Sequence, residues 1–270
     1  MAGNGRAVGV IRQAGGNREA RRGPWTELAR RRSPSESLGM ASALAAGLRR
    51  RAAHAPIYRI ERRRHLLREL EAESTYLASP AAWKDPHEDP VRAALPVGSD
   101  LLARAFAQCW AGTADLDVVW RRYVPADDYA LLRTTPARLS AAVDDWLAMA
   151  SDWTGVIDEV EYLGLSDQRA RAADLAQTWL RAGSVDPYDR AASLLFKRDP
   201  YRLEAEIRLV AIAPVGHARE RGVKLRINPR HFIDAVELRT EDRDALPSGY
   251  VDELRACGFR GPVSRAEAHR

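Results

Sequence analysis

Short runs of β-branched and aromatic residues recur along this chain between amphipathic helical stretches, in an order that never settles into strand-helix-strand alternation. That irregular order limits the fold more than any other feature. The strand-like runs fall at 56–60, 74–79, 106–110, 129–133, 156–163, 203–212, 223–227 and 235–238. Between them, 61–71 carries Leu66, Leu67 and Leu70 on one side and Arg62, Arg63, Arg64 and Arg68 on the other, the pattern of a helix lying on a core. Thr135-Pro136 opens a second helix to Ala150, with an N-cap hydroxyl and a proline at the first helical position. Further helices are expected at 41–51, 115–123, 166–181, 187–198 and 248–257, the last closed by Gly258 in a left-handed cap. The proline- and acid-rich stretch 85–99 is expected as loop. A parallel α/β sheet would need regular alternation, so the expectation is an α+β fold: a single domain with a mixed, mainly antiparallel sheet and packed helices.

Charge divides the chain unevenly. Residues 1–39 hold eight arginines against three glutamates, which accounts for the whole formal net charge of +5. This leader is rich in Gly, Arg and Ser and has no hydrophobic period, so it is expected to be a disordered basic tail, with Met40 as a candidate true start. Residues 40–55 follow as helix and linker, and 56–265 as the folded domain. The folded part is close to neutral and its bases are almost all arginine, so the high pI is weak evidence for phosphate recognition. No apolar run reaches the ~18 residues of a membrane span. Arg30-Arg31-Arg32 before the Ala-rich stretch 37–48 suggests an export signal, but Arg49-Arg50-Arg51 stands where a cleavage site should offer small neutral residues. With only Cys109 and Cys257 there is no disulfide framework, and the expectation is a cytoplasmic protein. The histidines are scattered without ligand spacing, and no metal centre is expected from them.

Three segments occur in a fixed order: Tyr76 to Glu88, containing Pro80, Trp83, Asp85-Pro86 and Glu88; Gln108-Cys109-Trp110, with Trp120 and Tyr123 downstream; and Lys197 followed by Glu204-Ala205-Glu206-Ile207-Arg208. Together they resemble a bacterial family known as domain of unknown function twenty-nine seventy-one, over about 56–263. The resemblance implies a bacterial protein and names no activity. Lys84 and His87 depart from the family pattern, as does Asp127-Asp128-Tyr129 ahead of Arg133.

Glu204 and Glu206, read as lying on one strand, would project to one face with Arg208, leaving Leu203, Ala205, Ile207 and Leu209 on the other. An acid pair beside a guanidinium can hold one carboxylate ionised against a ligand. The same spacing also fits a solvated face of an antiparallel strand. Tyr58-Arg59 on the first strand, Ser79 at the end of the second and a glutamate on a late strand resemble the order found in ADP-ribosyltransferase folds. That resemblance implies NAD as cosubstrate, with Arg59 on its phosphates or ribose, Tyr58 and Ser79 in support, and Glu206 or Glu204 as the catalytic carboxylate. The acceptor it implies is a nucleic acid or a protein. Two other readings stand beside it. Asp85, Glu88, Glu204 and Glu206 with Lys197 contain the groups of a divalent-metal nuclease. Trp110, Trp120 and Tyr123 would instead line the pocket of a non-enzymatic sensing or binding module of a defence or stress system. Asp85 is also a turn former able to cap the next segment, and Arg133 is a candidate anion contact or an ion-pair partner of Asp127 or Asp128.

Overall fold

The computed structural model describes residues 53–83, 85–97, 99, 101, 104–112, 128–214, 216–217, 220–238 and 248–265. The expectations for the leader, the 41–51 helix and the 115–123 helix, including Trp120 and Tyr123, lie outside those residues.

β1 (Ile57–Arg62) leads into α1 (Arg63–Glu71) and β2 (Ser74–Ala78). After α2 (Pro90–Ala94) come β3 (Ala105–Ala111), β4 (Tyr129–Thr134) and α3 (Pro136–Leu147). β5 (Thr154–Glu159), β6 (Glu161–Leu163), α4 (Leu165–Ala182), α5 (Pro187–Ala192) and β7 (Phe196–Arg198) follow. β8 (Glu206–Ile212), β9 (Gly222–Arg226), α6 (Pro229–Phe232), β10 (Ala235–Leu238), α7 (Ser248–Ala256) and β11 (Val263–Arg265) complete the described chain. The fold is α+β: a nine-stranded mixed sheet, antiparallel except for the β10–β11 pair, with a separate parallel β6–β7 pair.

β3 is the strand at which the sheet forks. One edge pairs along its whole length with β8, which pairs in turn with β5. The other edge meets β1 at Ala111 and β2 at Ala107. A forked edge leaves polar groups without a ladder, and side chains fill the gap. Gln108 Nε2 donates to Thr75 Oγ1 at 2.8 Å and Trp110 Nε1 donates to Gln108 Oε1 at 3.0 Å. Arg59 Nη1 donates to Thr75 Oγ1 at 3.1 Å.

The two faces of the sheet differ. α1, α3 and α7 cover one, where Leu66, Leu139, Trp146 and Leu254 pack on Ile57, Phe106, Trp110, Leu132 and Leu209. On the other face α5 and the chain after it set Ala191, Leu194 and Leu195 against Ala105, Ala107, Val210 and Ile212, while α2 and α4 build a smaller core outside it. Each large aliphatic side chain taken fully from water contributes about 1.5–3 kcal/mol, so α5 is held mainly by this packing. Over β1, β4 and the end of β3 the second face is only partly covered: Tyr58, Ile60, Ala111, Arg133 and Glu237 are half-buried and Cys109 is exposed.

Several elements differ from expectation. Helix α5 ends at Ala192 and not at 198, because Leu194-Leu195-Phe196 enters the core and Phe196–Arg198 pairs in parallel with β6. The 85–99 stretch is not all loop: a 3-10 turn at Pro86–Glu88 and α2 stand within it. The 156–163 run is two strands, β5 and β6, parted at Val160. The expected 203–212 strand begins only at Glu206, after a 3-10 turn at Asp199–Glu204 and a left-handed Ala205 with φ 44°.

Candidate functional site

β8 is buried at every position, yet it carries Glu206 and Arg208. Burying such charges costs several kcal/mol each unless their remaining hydrogen-bonding capacity is also filled. Here it is. Arg208, fully buried, donates from Nε to Glu206 Oε1 at 2.5 Å, from Nη1 to the Leu194 carbonyl at 2.6 Å and from Nη2 to Glu88 Oε2. Lys197 Nζ sits 2.8 Å from Glu206 Oε2, 2.9 Å from Glu204 Oε2 and 3.0 Å from Glu88 Oε1. Trp83 lies 5.0 Å over the Arg208 guanidinium, and the Tyr201 ring 4.6 Å from the Lys197 ammonium.

Local structure explains how these side chains meet. Glu204 ends the 3-10 turn and Ala205 reverses the backbone through left-handed space, so Glu204 is not a strand neighbour of Glu206. Both carboxylates still reach Lys197, from opposite sides of that turn. Gly112 N–H donates to the carbonyls of Glu204 and Ala205 at 3.1 and 3.0 Å, which fixes the reversal. A Cβ at Gly112 would stand 2.5 Å from the Ala205 oxygen, so only glycine allows this approach. The phenol oxygen of Tyr162, on β6, accepts the Glu206 backbone N–H at 2.8 Å.

The electrostatics follow from this packing. Burial alone would raise the Glu206 carboxyl, but Arg208 and Lys197 outweigh it and hold the pKa at about 2. Burial would lower the Lys197 ammonium, yet Glu206, Glu88 and Glu204 hold it above its ordinary value. Desolvation, with Glu206 next, pushes the Cys109 thiol well up, and the thiol hydrogen-bonds to Glu206. Cys109 is nonetheless exposed to solvent. Three carboxylates face two cations, so the ionised cluster carries a formal charge of −1.

All three sequence segments converge here: Trp83 and Glu88 from the first, Cys109 from the second, and Lys197, Glu204, Glu206 and Arg208 from the third. Asp85 stands beside them. Its Oδ1 accepts the His87 N–H at 2.9 Å, capping the 3-10 turn, and its Oδ2 pairs with Arg198 at 2.6 Å. The His87 and Arg198 bonds lower its pKa against the opposing effect of burial.

Register fixes which other candidates share this face. Tyr58 pairs with Ala111, Ala111 with Glu206, and Tyr58 with Arg133 on its far side. Directly paired residues project to the same face, so Tyr58 and Arg133 look out beside Glu206, roughly 10 and 14 Å away at ~4.8 Å per strand. Burial raises the Tyr58 phenol. Arg133 pairs with Asp234, Nε to Oδ2 at 3.1 Å, while Asp127 lies outside the described residues.

Arg59 does not join them. One residue beyond Tyr58, it projects through the sheet beneath α1, with Nη2 2.5 Å from Glu69 Oε2 and its guanidinium 5.2 Å over Trp110. It is 8% exposed, neither a phosphate contact nor a solvated edge residue. Trp110 belongs to the same buried layer. Ser79 is also elsewhere: it follows the β2 residue that pairs with Ala107, about 13 Å along β3 from Ala111 at ~3.3 Å per residue. The solvated-strand reading of Glu206 fails, since that side chain is 3% exposed. Among the described residues no group of three or more His, Cys, Asp or Glu could hold a metal ion, and the acids offered for one are bound to Lys197, Arg208 and Arg198. Tyr162, Tyr201 and Asp234 were missed, because no spacing in the sequence ties them to their partners.

No family model matches the chain, so the likeness to the uncharacterised bacterial family rests on the ordered motifs alone. No curated protein matches it. Three solved structures of DarT from Thermus sp. 2.9 do align with it, in complex with carba-NAD+, with NAD+ and with ADP-ribosylated ssDNA. They cover 79, 78 and 79% of this chain and 95, 95 and 94% of their own, at 13, 12 and 10% identity and TM-scores of 0.34, 0.33 and 0.35. At these scores the likeness carries no residue role over to this chain. Among the described residues no helix is long and apolar enough to cross a membrane.

Proposed function

We propose that this protein is an ADP-ribosyltransferase-like enzyme that consumes NAD and modifies a nucleic acid or a protein, with Glu206 as its central carboxylate. One observation carries the reading: a carboxylate held ionised by two cations lies beside the exposed Cys109, on a sheet face that also presents Tyr58 and Arg133. The chemistry needs such a group. As the bond from ribose C1′ to nicotinamide breaks, positive charge develops on the sugar, and an oriented carboxylate stabilises it while accepting a hydrogen bond from a ribose hydroxyl. The acceptor then bonds to C1′ and loses a proton, and nicotinamide leaves with the electron pair of the broken bond.

The residues fit a dinucleotide in part. A carboxylate offers about four acceptor positions. Lys197, Arg208 and the Cys109 thiol occupy three on Glu206, which leaves room for a ribose hydroxyl. Tyr58 supplies an aromatic wall and Arg133 a cation for a phosphate. Arg59 is removed from the proposal by its place on the other face.

A binding module without catalysis is the second reading, favoured by the burial of Glu206 and the ion pair at each of its oxygens. Nicotinamide release decides between them. The full chain incubated with NAD is expected to release nicotinamide, and Glu206→Gln to release about 10²–10³-fold less, the usual loss for one charge-stabilising group. Tyr58→Ala, at a half-buried position, should weaken NAD binding without altering the Tm. Absence of both binding and nicotinamide release in the wild type refutes the enzymatic reading.

A further inference from the structure

A hollow lies beside the segment that supplies Glu88. The adjacent Asp89 turns away from the charge cluster and holds Arg190 through two hydrogen bonds, Nη1 to Oδ1 at 3.0 Å and Nη2 to Oδ2 at 2.6 Å. Both side chains are about 5% exposed, so this pair is a rigid wall and not a surface contact. The cavity beside it measures about 800 Å3. Cavities of about 300–1,000 Å3 are the usual size for small-molecule sites.

Its lining is polar in a particular way. Arg92, from α2, and Arg221, just before β9, both border the cavity. Neither guanidinium has a hydrogen-bond or ion-pair partner among the described residues, whereas Arg59, Arg133, Arg190, Arg198 and Arg208 are all paired. The Ser79 hydroxyl accepts the Ala81 N–H, and its own proton is unspent among the described residues. Ser99 adds a second hydroxyl, and Leu95 and Pro80 supply an apolar side. Among the described lining residues Glu220 is the one acid outside the Asp89 pair; it is half exposed and comes no closer than 4.0 Å to His217. With Asp89 and Arg190 cancelling each other, two guanidiniums without a partner among the described residues stand against one half-exposed carboxylate.

Guanidiniums present paired donors that match phosphate oxygens, and hydroxyls complete such a shell. We infer that this cavity binds a phosphorylated organic ligand, with Arg92 and Arg221 on the phosphate oxygens, Ser79 donating to them, and the apolar side receiving the ligand's carbon body. The Asp89–Arg190 pair is the positioning element: it fixes the segment that carries Arg92 on one flank and Glu88 on the other. The shared chemistry is a phosphate ester, whose source is either the diphosphate of NAD or a separate phosphorylated metabolite.

Calorimetric titration of the full chain tests this, with inorganic pyrophosphate, ADP and NAD as probes. Wild type should bind pyrophosphate and ADP saturably, and Arg92→Ala combined with Arg221→Ala should weaken both at least tenfold. Both positions are exposed, so the Tm should not move, and Arg226→Ala, an exposed arginine outside the lining, should bind as wild type does. Displacement of pyrophosphate by NAD assigns the cavity to the dinucleotide; binding of ADP unaffected by NAD assigns it to a separate ligand. No saturable binding of pyrophosphate or ADP, or equal affinity in wild type and the double variant, overturns the inference. Because Glu206→Gln leaves this lining untouched, loss of NAD cleavage with pyrophosphate binding intact separates failure of the proposed enzyme from failure of this site.

Discussion

Replacing Lys197 by methionine removes one ammonium from among three carboxylates while keeping most of the side-chain volume. Glu204 then loses the ammonium 2.9 Å away, and Glu88 and Glu206 keep Arg208. Leaving buried charge uncompensated costs about 3–5 kcal/mol. With a urea m-value of about 2–3 kcal/mol/M, the unfolding midpoint at pH 7 should fall by about 1–2 M. The pH dependence is the sharper test. In the wild type Glu206 is held at about 2 against an ordinary 4.5. A depressed carboxyl contributes stability that is fully present above the ordinary value and is lost as pH falls through the folded one, about 3 kcal/mol in all for this group. Without Lys197, Glu206 takes up its proton at higher pH, which removes one negative charge from the cluster. The gap between variant and wild type should therefore narrow steadily as pH is lowered from 7 toward 4. Urea melts monitored by tryptophan fluorescence at several pH values measure this. A variant within 1 kcal/mol of wild type at pH 7, or a gap that stays constant with pH, would refute the view that the ammonium neutralises these acids.

Two further outcomes follow from the same geometry. Ala205 is exposed and holds φ 44°, where a side chain costs about 1–2 kcal/mol and glycine costs little, so Ala205→Gly should stabilise the protein by up to about 1 kcal/mol after the chain entropy of glycine is subtracted; a lower Tm in that variant would show that the reversal is not strained. The Cys109 thiol, reachable yet hydrogen-bonded to an ionised Glu206, should react with iodoacetamide at pH 8 more slowly than free glutathione and gain speed above pH 9, because only the thiolate attacks; rapid mass-spectrometric labelling at pH 7 would contradict the proposed charge environment.

Strands and helices with strong local periods were legible in the sequence. Thr135 does cap its helix, accepting the Arg138 N–H, and Gly258 does adopt positive φ. Legibility failed where tertiary contacts decide. Leu194-Leu195-Phe196 suits a buried helix or a buried strand equally well, and only pairing with β6 selects the strand. Arg59 was misplaced because one residue of register moves a side chain to the opposite face, and the sequence does not print the register. Its partners Glu69 and Thr75 come from a helix and a strand whose packing no spacing announces.

Glu204 and Glu206 meet without sharing a strand. A continuous strand would have sent both carboxylates to one face by period; the chain instead turns through Ala205, and Lys197 gathers them. The distinction changes what the site can do. On a straight strand the two acids would be equivalent, whereas here Glu206 is locked by cations on both oxygens and anchored through its backbone to Tyr162, while Glu204 hangs from a turn held by Gly112. Glu206 is the carboxylate hydrogen-bonded to the exposed Cys109, whereas Glu204 shares Lys197 with it from the turn, so Glu204→Gln should alter affinity more than the chemical step, and Glu206→Gln the reverse. Equal effects of the two substitutions on nicotinamide release and NAD affinity would contradict that division of roles.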